Sequence, residues 1–346
     1  MNIASVHAKS VGHIRQNKIT KQWVIYSPQR GERPRDFKNQ QKTQNKSKHD
    51  SDCPFCPGNE EMLPGILWQF PDSQKKAWST RSVPNKFPAL SSQHDNHHQD
   101  DGIYVFMPGY GHHEVIIENP RHDLDIPQMS LTEVEAIIHT YHQRYQIVMK
   151  DSANMLAIIF RNHGVRAGTS LLHPHSQMVV TGIVPTHIRW WEFESQRYFD
   201  KWGRCVLCDI SNFEFSEQDR VVSENDSFLS FVPYAAEVPF EVWIVPKIHQ
   251  SEFGTITQNE KKDLAMMLRD NLKKLSFHLD NPDYNYVIQS TSQYNSGKPF
   301  LHWFMKIQPR LTTPAGFEMG SGMYINPSLP ENDAQILRKE LVDDLE

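Results

Sequence analysis

The sequence predicts an α+β fold made by internal duplication, with antiparallel sheet flanked by helices. Three observations carry that prediction. A Cys-x-x-Cys pair stands in each half, Cys53 with Cys56 and Cys205 with Cys208. Each pair is followed by a β-branched run that begins at a glutamate and reaches a histidine eight residues later, Glu114 to His122 and Glu241 to His249. Each half then arrives at a histidine in an apolar setting: His173 lies 51 residues beyond His122, and His302 lies 53 beyond His249. Self-similarity at a long, fixed spacing signals repeated structural units.

The elements follow in order. Residues 36–52 are polar and low in complexity and read as a mobile loop. The insert 91–102 is rich in His, Asp and Asn and reads as a solvated loop, because no apolar pattern fixes its histidines. The runs 114–117 and 241–244 are short strands that end in turns containing Pro120 and Pro246. Helical stretches follow at 130–149 and 257–275, with Ser130 or Thr132 capping the first and Thr257 the second. Strands are expected at 154–160 and 284–290. A helix over 186–200 links the halves, which divide as residues 1–190 and 191–346.

Composition narrows the function. The 346 residues suffice for two domains, with 38% hydrophobic and 22% charged residues. A net charge of -5 and a pI near 6.4 argue against a nucleic-acid partner, which calls for a basic patch. No apolar run approaches the roughly 18 residues of a membrane span, and the first residues lack the apolar core of a signal peptide. A cytoplasmic location follows as the expectation. In that setting paired cysteines point to metal or redox chemistry rather than to disulfides.

Structural zinc takes four ligands in a closed tetrahedron, often two Cys and two His. The first half offers Cys53, Cys56, His122 and His173; the second offers Cys205, Cys208, His249 and His302. His112, His113 and His278 are alternative ligands by proximity in sequence, and thiolate softness favours zinc in the second site without excluding iron.

The chemistry concentrates in Gly168-Thr169-Ser170-Leu171-Leu172-His173-Pro174-His175-Ser176-Gln177. On a strand, His173, His175 and Gln177 share a face. Pro174 removes a backbone donor and suits an edge position. The glycine lets backbone N–H groups approach an oxyanion. His175, neutral in large part near pH 7, can act as a nucleophile toward phosphorus, and the Gln177 amide can donate to a phosphoryl oxygen as it gains charge. A third metal ligand or a packed histidine is the plainer alternative for His175. In Ser27-Pro28-Gln29-Arg30-Gly31-Glu32-Arg33-Pro34, two arginines three apart can fork onto phosphate oxygens or remain solvated at the surface.

Taken together these residues resemble the galactose-1-phosphate uridylyltransferase branch of the histidine triad superfamily, over nearly the whole chain from Ser27 to about Pro330. The matched pieces are the Ser27–Pro34 segment, Cys53-Pro54-Phe55-Cys56, Asn85-Lys86-Phe87-Pro88-Ala89-Leu90, Glu114 to His122, and His173 to Gln177. The second half, with the segment from Gly316 to Pro327, looks especially like ADP-glucose phosphorylase-type members.

The resemblance implies two histidine-triad-like halves sharing a sheet, assembled as a homodimer. It implies His175 as nucleophile, Gln177 and Ser170 as its catalytic partners, and Arg30 and Arg33 on phosphates. It implies Asn85 at the nucleoside, Asn162 with Ser170 at the diphosphate, and Phe317 with Glu318 at the sugar. The implied reaction is ping-pong: a nucleotide-sugar gives its nucleoside monophosphate to His175, and a sugar-1-phosphate takes it up. Only one half keeps the nucleophile, because His173-Pro174-His175-Ser176-Gln177 faces His302-Trp303-Phe304-Met305-Lys306.

Three positions depart from the pattern of galactose-recognising members. Thr312 and Tyr324 fall near the places of their sugar-binding lysine and glutamine, and Asn85-Lys86 replaces Asn-Asp at the nucleoside. An ADP-sugar phosphorylase, passing adenylyl to inorganic phosphate, is therefore the alternative to uridylyl transfer. A nucleotide hydrolase and a non-catalytic zinc-binding module are the remaining readings.

Overall fold

The structure is a computed structural model and describes residues 12–32, 47–71 and 78–340. The first half contributes β1 (His13–Gln16), β2 (Trp23–Tyr26), β3 (Trp68–Phe70), β4 (Thr80–Pro84), β5 (Gln99–Asp101), β6 (Tyr104–Phe106), β7 (Gly111–Ile117), α1 (Leu131–Val148), β8 (Leu156–His163) and β9 (His175–Thr181). Helices α2 (Thr186–Trp202) and α3 (Val206–Glu217) lead into β10 (Val221–Glu224), β11 (Phe228–Phe231), β12 (Val242–Pro246), α4 (Gln258–His278), β13 (Tyr284–Gln289) and β14 (Phe304–Pro309). The chain closes with α5 (Gly316–Ser321), β15 (Tyr324–Asn326) and α6 (Pro330–Leu337).

Duplication is visible in the strand order. One ten-stranded antiparallel sheet runs β10-β11-β12-β14-β13-β8-β9-β7-β4-β3. Outward from the β8–β13 seam, β8-β9-β7-β4-β3 on one side repeats as β13-β14-β12-β11-β10 on the other. The halves thus share a single continuous sheet, with Asn285 paired to Asn162 and Ile288 to Ile159 at the seam. A small sheet of β1, β2 and β15 contains a parallel pair, Tyr324 against Val24, which departs from the all-antiparallel expectation.

Alternation along the strands builds two layers. Ala157, Ile159, Met178, Val180, Tyr286, Ile288, Met305 and Ile307 form one core with Ile137 and Tyr141 of α1 and Leu268 and Leu272 of α4. Residues of the opposite parity, Leu156, Trp243, Val245 and Phe304, pack on Ile188 and Trp191 of α2 and Val206 and Leu207 of α3. Burying each large side chain contributes about 1.5–3 kcal/mol. The same second face, in the first half, carries Cys53, Phe55 and Cys56 against Val115 and Ile117.

The two sheet-covering helices start alike. Ser130 accepts from the Glu133 amide while the Glu133 side chain accepts from the Ser130 amide, and Thr257 does the same with Glu260. Ser130, not Thr132, is therefore the cap. Helix α4 runs to His278, three residues past the expectation, and the first central strand extends to His163 rather than stopping at 160. Residues 99–101, expected in a solvated loop, form the exposed strand β5 of a hairpin with β6. Residues 36–46 of the first polar loop lie outside the described residues. Pro174 is not at a sheet edge: it precedes β9, an interior strand, so its missing N–H breaks no ladder bond, and its carbonyl accepts from the Glu118 amide.

Candidate active site and metal centres

The strand pairs and the Cys-x-x-Cys turns converge on two clusters. In the first, the ligand atoms of Cys53, Cys56, His122 and His173 all lie within 4.8 Å of one another. The His122 and His173 Nδ1 atoms stand 3.5 and 3.6 Å from the Cys56 sulfur, and His173 Nδ1 stands 3.7 Å from that of Cys53. In the second, the atoms of Cys205, Cys208, His249 and His302 meet the same 4.8 Å limit, with Nδ1 of His249 and His302 at 3.4 and 3.3 Å from the Cys208 sulfur.

A tetrahedral ion with metal–sulfur bonds of ~2.3 Å and metal–nitrogen bonds of ~2.0–2.1 Å has S···N edges of about 3.5 Å. Both donor sets fit that edge, so both clusters can bind a metal ion. His173 Nε2 donates to the Asn119 carbonyl at 2.7 Å, which fixes the ring and leaves Nδ1 toward the cysteines. His112, His113 and His278 stand outside both clusters.

His175 follows two residues after His173 and is buried, 8% exposed. Its Nδ1 donates to the His173 carbonyl at 2.8 Å. A carbonyl only accepts, so the neutral ring carries its proton on Nδ1 and leaves the Nε2 lone pair free. The Phe55 ring meets the imidazole edge-on at 5.4 Å. Burial lowers the His175 pKa below its ordinary value of 6.5, which keeps the ring neutral.

Register places the neighbours. Ile117 pairs with His175 and Phe160 with Gln177. The next step of the β8–β9 ladder sets Asn162 beside His175 on the same face. Beneath that face, the Tyr141 hydroxyl donates to Ser176 Oγ at 2.7 Å, and Glu118 receives Arg161 at 2.9 Å. This buried network holds the backbone between His175 and Gln177.

Gln177 is steadied by His113. The His113 Nδ1 accepts from the Ala89 amide at 3.2 Å, so Nε2 carries the proton and donates to Gln177 Oε1 at 2.7 Å. The Gln177 NH2 group is thereby turned away as a free donor. Asn85 lies against the same ring, its amide nitrogen 3.1 Å from His113 Nε2. His113 was legible only by period: it alternates with Val115 and Ile117 on β7 and so shares the face of His175.

Other expected site residues are more scattered. Gly168 takes φ +88, and Ser170 two residues on is exposed. Arg30 sits exposed in a 3-10 turn, Pro28–Glu32, and its charge helps hold the Glu318 carboxyl below the usual range after backbone hydrogen bonds have done most of that work. Glu318 also caps α5 through the Ala315 amide at 2.9 Å, and Phe317 beside it is 48% exposed. Arg33 lies outside the described residues.

The N-terminal domain of galactose-1-phosphate uridyl transferase matches residues 1–185, and its C-terminal domain matches residues 192–311. This chain belongs to the galactose-1-phosphate uridyl transferase family. An ADP-glucose phosphorylase of Arabidopsis thaliana is 36% identical over 94% of this chain and 92% of its own length. A galactose-1-phosphate uridylyltransferase of Kluyveromyces lactis is 30% identical over 89% of this chain and 88% of its own length. In three dimensions, the crystal structure of an ADP-glucose phosphorylase from Arabidopsis thaliana with bound ADP-glucose superposes with TM-score 0.83 at 31% identity, over 96% of this chain and all (100%) of that one. A uridylyltransferase structure superposes with TM-score 0.72 at 26% identity, covering 95% of this chain and 98% of that one.

Proposed function

We propose that this nucleotidyltransferase carries a nucleoside monophosphate on His175 between a nucleotide-sugar and a phosphate acceptor. The observation that carries the reading is the His175 ring, neutral, anchored through Nδ1 and presenting Nε2 beside Asn162 and Gln177. The Nε2 lone pair attacks the α-phosphorus, and the P–O bond to the sugar-1-phosphate breaks with its electron pair. The ring gains positive charge as the P–N bond forms, which strengthens its Nδ1–H donation to the His173 carbonyl. The Gln177 NH2 group donates to a phosphoryl oxygen where charge builds. An acceptor phosphate oxygen then attacks phosphorus and the P–N bond breaks, restoring His175.

Arg30, Arg33 and Ser170 serve as phosphate contacts in this reading, Asn85 serves the nucleoside, and Phe317 with Glu318 serves the sugar. Zinc held by Cys53, Cys56, His122 and His173 would supply rigidity next to the nucleophile, and the second set would brace the other half with zinc or iron. The halves divide near residue 190. A cytoplasmic homodimer completes the reading; cysteines arranged for metal rather than for disulfides support that compartment. Among the described residues no helix is long and apolar enough to cross a membrane.

Adenylyl transfer from ADP-glucose to inorganic phosphate is favoured by the 36% identity to the Arabidopsis phosphorylase and by Lys86 after Asn85. Uridylyl transfer to a sugar-1-phosphate is the second reading, supported by family membership. Product analysis with ADP-glucose and UDP-glucose, each with phosphate, with a different sugar-1-phosphate and with no acceptor, separates them. Nucleoside diphosphate formed only with phosphate supports the phosphorylase. Nucleoside monophosphate released in water supports a hydrolase, and no turnover with either donor overturns the reading.

A further inference from the structure

The row of side chains that starts at His175 continues across the seam. Asn162 stands beside His175, Asn285 pairs with Asn162, and Gln308 pairs with Asn285, all on one face. Strands are ~4.8 Å apart, so the backbone of Asn285 lies about 10 Å from that of His175. The Asn285 amide donates to Asn162 Oδ1 at 2.8 Å and to the Ala167 carbonyl at 2.9 Å. Its own Oδ1 accepts from Nε of Arg310, whose backbone is fixed by donation to the Asp283 carbonyl at 2.7 Å.

Arg310 is the unusual member. It is half-buried, and among the described residues no ion pair joins it to a carboxylate. The acid beside Gln308 already has its cation: Glu237 faces Lys306 at 3.4 Å and accepts from Gln308 at 3.1 Å. One donor of the Arg310 fork is spent on Asn285, and among the described residues the rest of the guanidinium has no hydrogen-bond partner. A half-buried cation without a counter-ion is a ready anion site, and a guanidinium fork matches two phosphate oxygens. The αL glycine Gly168 flanks the same spot, since a Cβ there would meet the Asn162 amide nitrogen at 3.9 Å.

We infer that Arg310, held by Asn285, binds the phosphate dianion that leaves and later attacks at His175. The inference rests on His175 as the nucleotide carrier. It assigns Arg310 to the non-transferred phosphate, whether that belongs to inorganic phosphate or to a sugar-1-phosphate.

Two readouts test it, both on the full chain with its metals. In the first, melting temperature is followed against inorganic phosphate and, separately, against glucose-1-phosphate, for wild type, Arg310→Gln and Arg310→Lys. Wild type should be stabilised by one or both, naming the source. Arg310→Gln should need about tenfold more phosphate, and Arg310→Lys less than that, because the charge stays and the fork is lost. Equal stabilisation of wild type and Arg310→Gln would overturn the assignment. In the second, nucleotidylated protein is discharged with increasing phosphate. The KM for the acceptor should rise about tenfold in Arg310→Gln while the maximal rate of discharge changes less. Should Arg310→Gln fail to fold, Arg310→Lys decides alone: an acceptor KM equal to that of wild type sinks the inference. A wild type that never becomes nucleotidylated contradicts the proposed function instead, and the melting series then still reports on Arg310 by itself.

Discussion

The two halves use one scaffold for opposite ends. In the first, the position two residues past the cluster histidine is His175, with Gln177 and Asn162 half-buried beside it. In the second it is Phe304, whose ring lies 4.6 Å from Trp243 and 6.3 Å from Trp191. Helix α2 presses Trp191 onto that face, so the pseudo-equivalent site is filled by aromatic core. Both halves keep a Cys2His2 cluster and a capped helix. The metal-ligating donor sets and the fold are thus shared, and in the proposed reading the chemistry depends on three or four side chains of one sheet face.

The largest expected effect separates the halves outright. His175→Ala should lower kcat by about 10⁴-fold or more, because the covalent route is lost. Phe304→His should add no second site, because the ring would stand in a packed apolar cluster without a free approach. A second nucleotidylated histidine in Phe304→His would break the comparison.

Next come the two glutamates that precede the cluster histidines by eight residues. Glu114 is buried against Arg144 at 2.6 Å, so Arg144→Ala should destabilise by about 3–5 kcal/mol in chemical denaturation. Among the described residues Glu241 has no arginine partner; it accepts from Trp243 Nε1 at 2.8 Å and from the Glu237 amide at 3.0 Å. A loss below about 1 kcal/mol in Arg144→Ala would show that the pair is expendable.

The metal clusters should differ in what they protect. His302→Ala should remove one of two bound metal ions and lower the melting temperature, yet leave nucleotidylation of His175 intact. His122→Ala should remove the other ion and slow nucleotidylation as well, since His173 would lose its anchor two residues before the nucleophile. Full metal content in His302→Ala, read by elemental analysis, contradicts the assignment.

The smallest effect is a pH dependence from the second half. Burial raises the Glu241 pKa to about 7, against the 4.5 of a free glutamate. The unfolded chain ionises first as pH rises, so this group subtracts stability progressively between about pH 4.5 and 7. Glu241→Gln should therefore gain on wild type across that window, by about 1–3 kcal/mol at its upper end. A constant difference between pH 5 and 7 would assign the burial cost elsewhere.

Much of this was legible in the chain. The Cys-x-x-Cys pairs and the matched histidine spacings located both clusters, because tetrahedral ligation leaves a local pair and two distant histidines as its trace. Alternation put His175 and Gln177 on one face. The shared sheet was legible only through the resemblance, since the β8–β13 pairing joins residues more than a hundred apart and no local period records it. His113 looked like a surplus ligand within a His-His run, and only the Ala89 amide on its Nδ1 shows that it serves Gln177. Arg310 and Asn285 lie outside every motif; register carries Asn285 into the row that starts at His175, and a hydrogen bond sets Arg310 beside Asn285. Arg30 was singled out by its paired arginine in a turn and Glu318 by resemblance, and their electrostatic contact depends on how distant segments meet.

The most direct test of the central claim is peptide mapping of the chain after brief incubation with ADP-glucose or UDP-glucose, without acceptor. One nucleotidyl group per chain, on the peptide bearing His175 and discharged by phosphate or a sugar-1-phosphate, is the predicted result. An adduct on another residue, or turnover with no adduct trapped at any time, would contradict it.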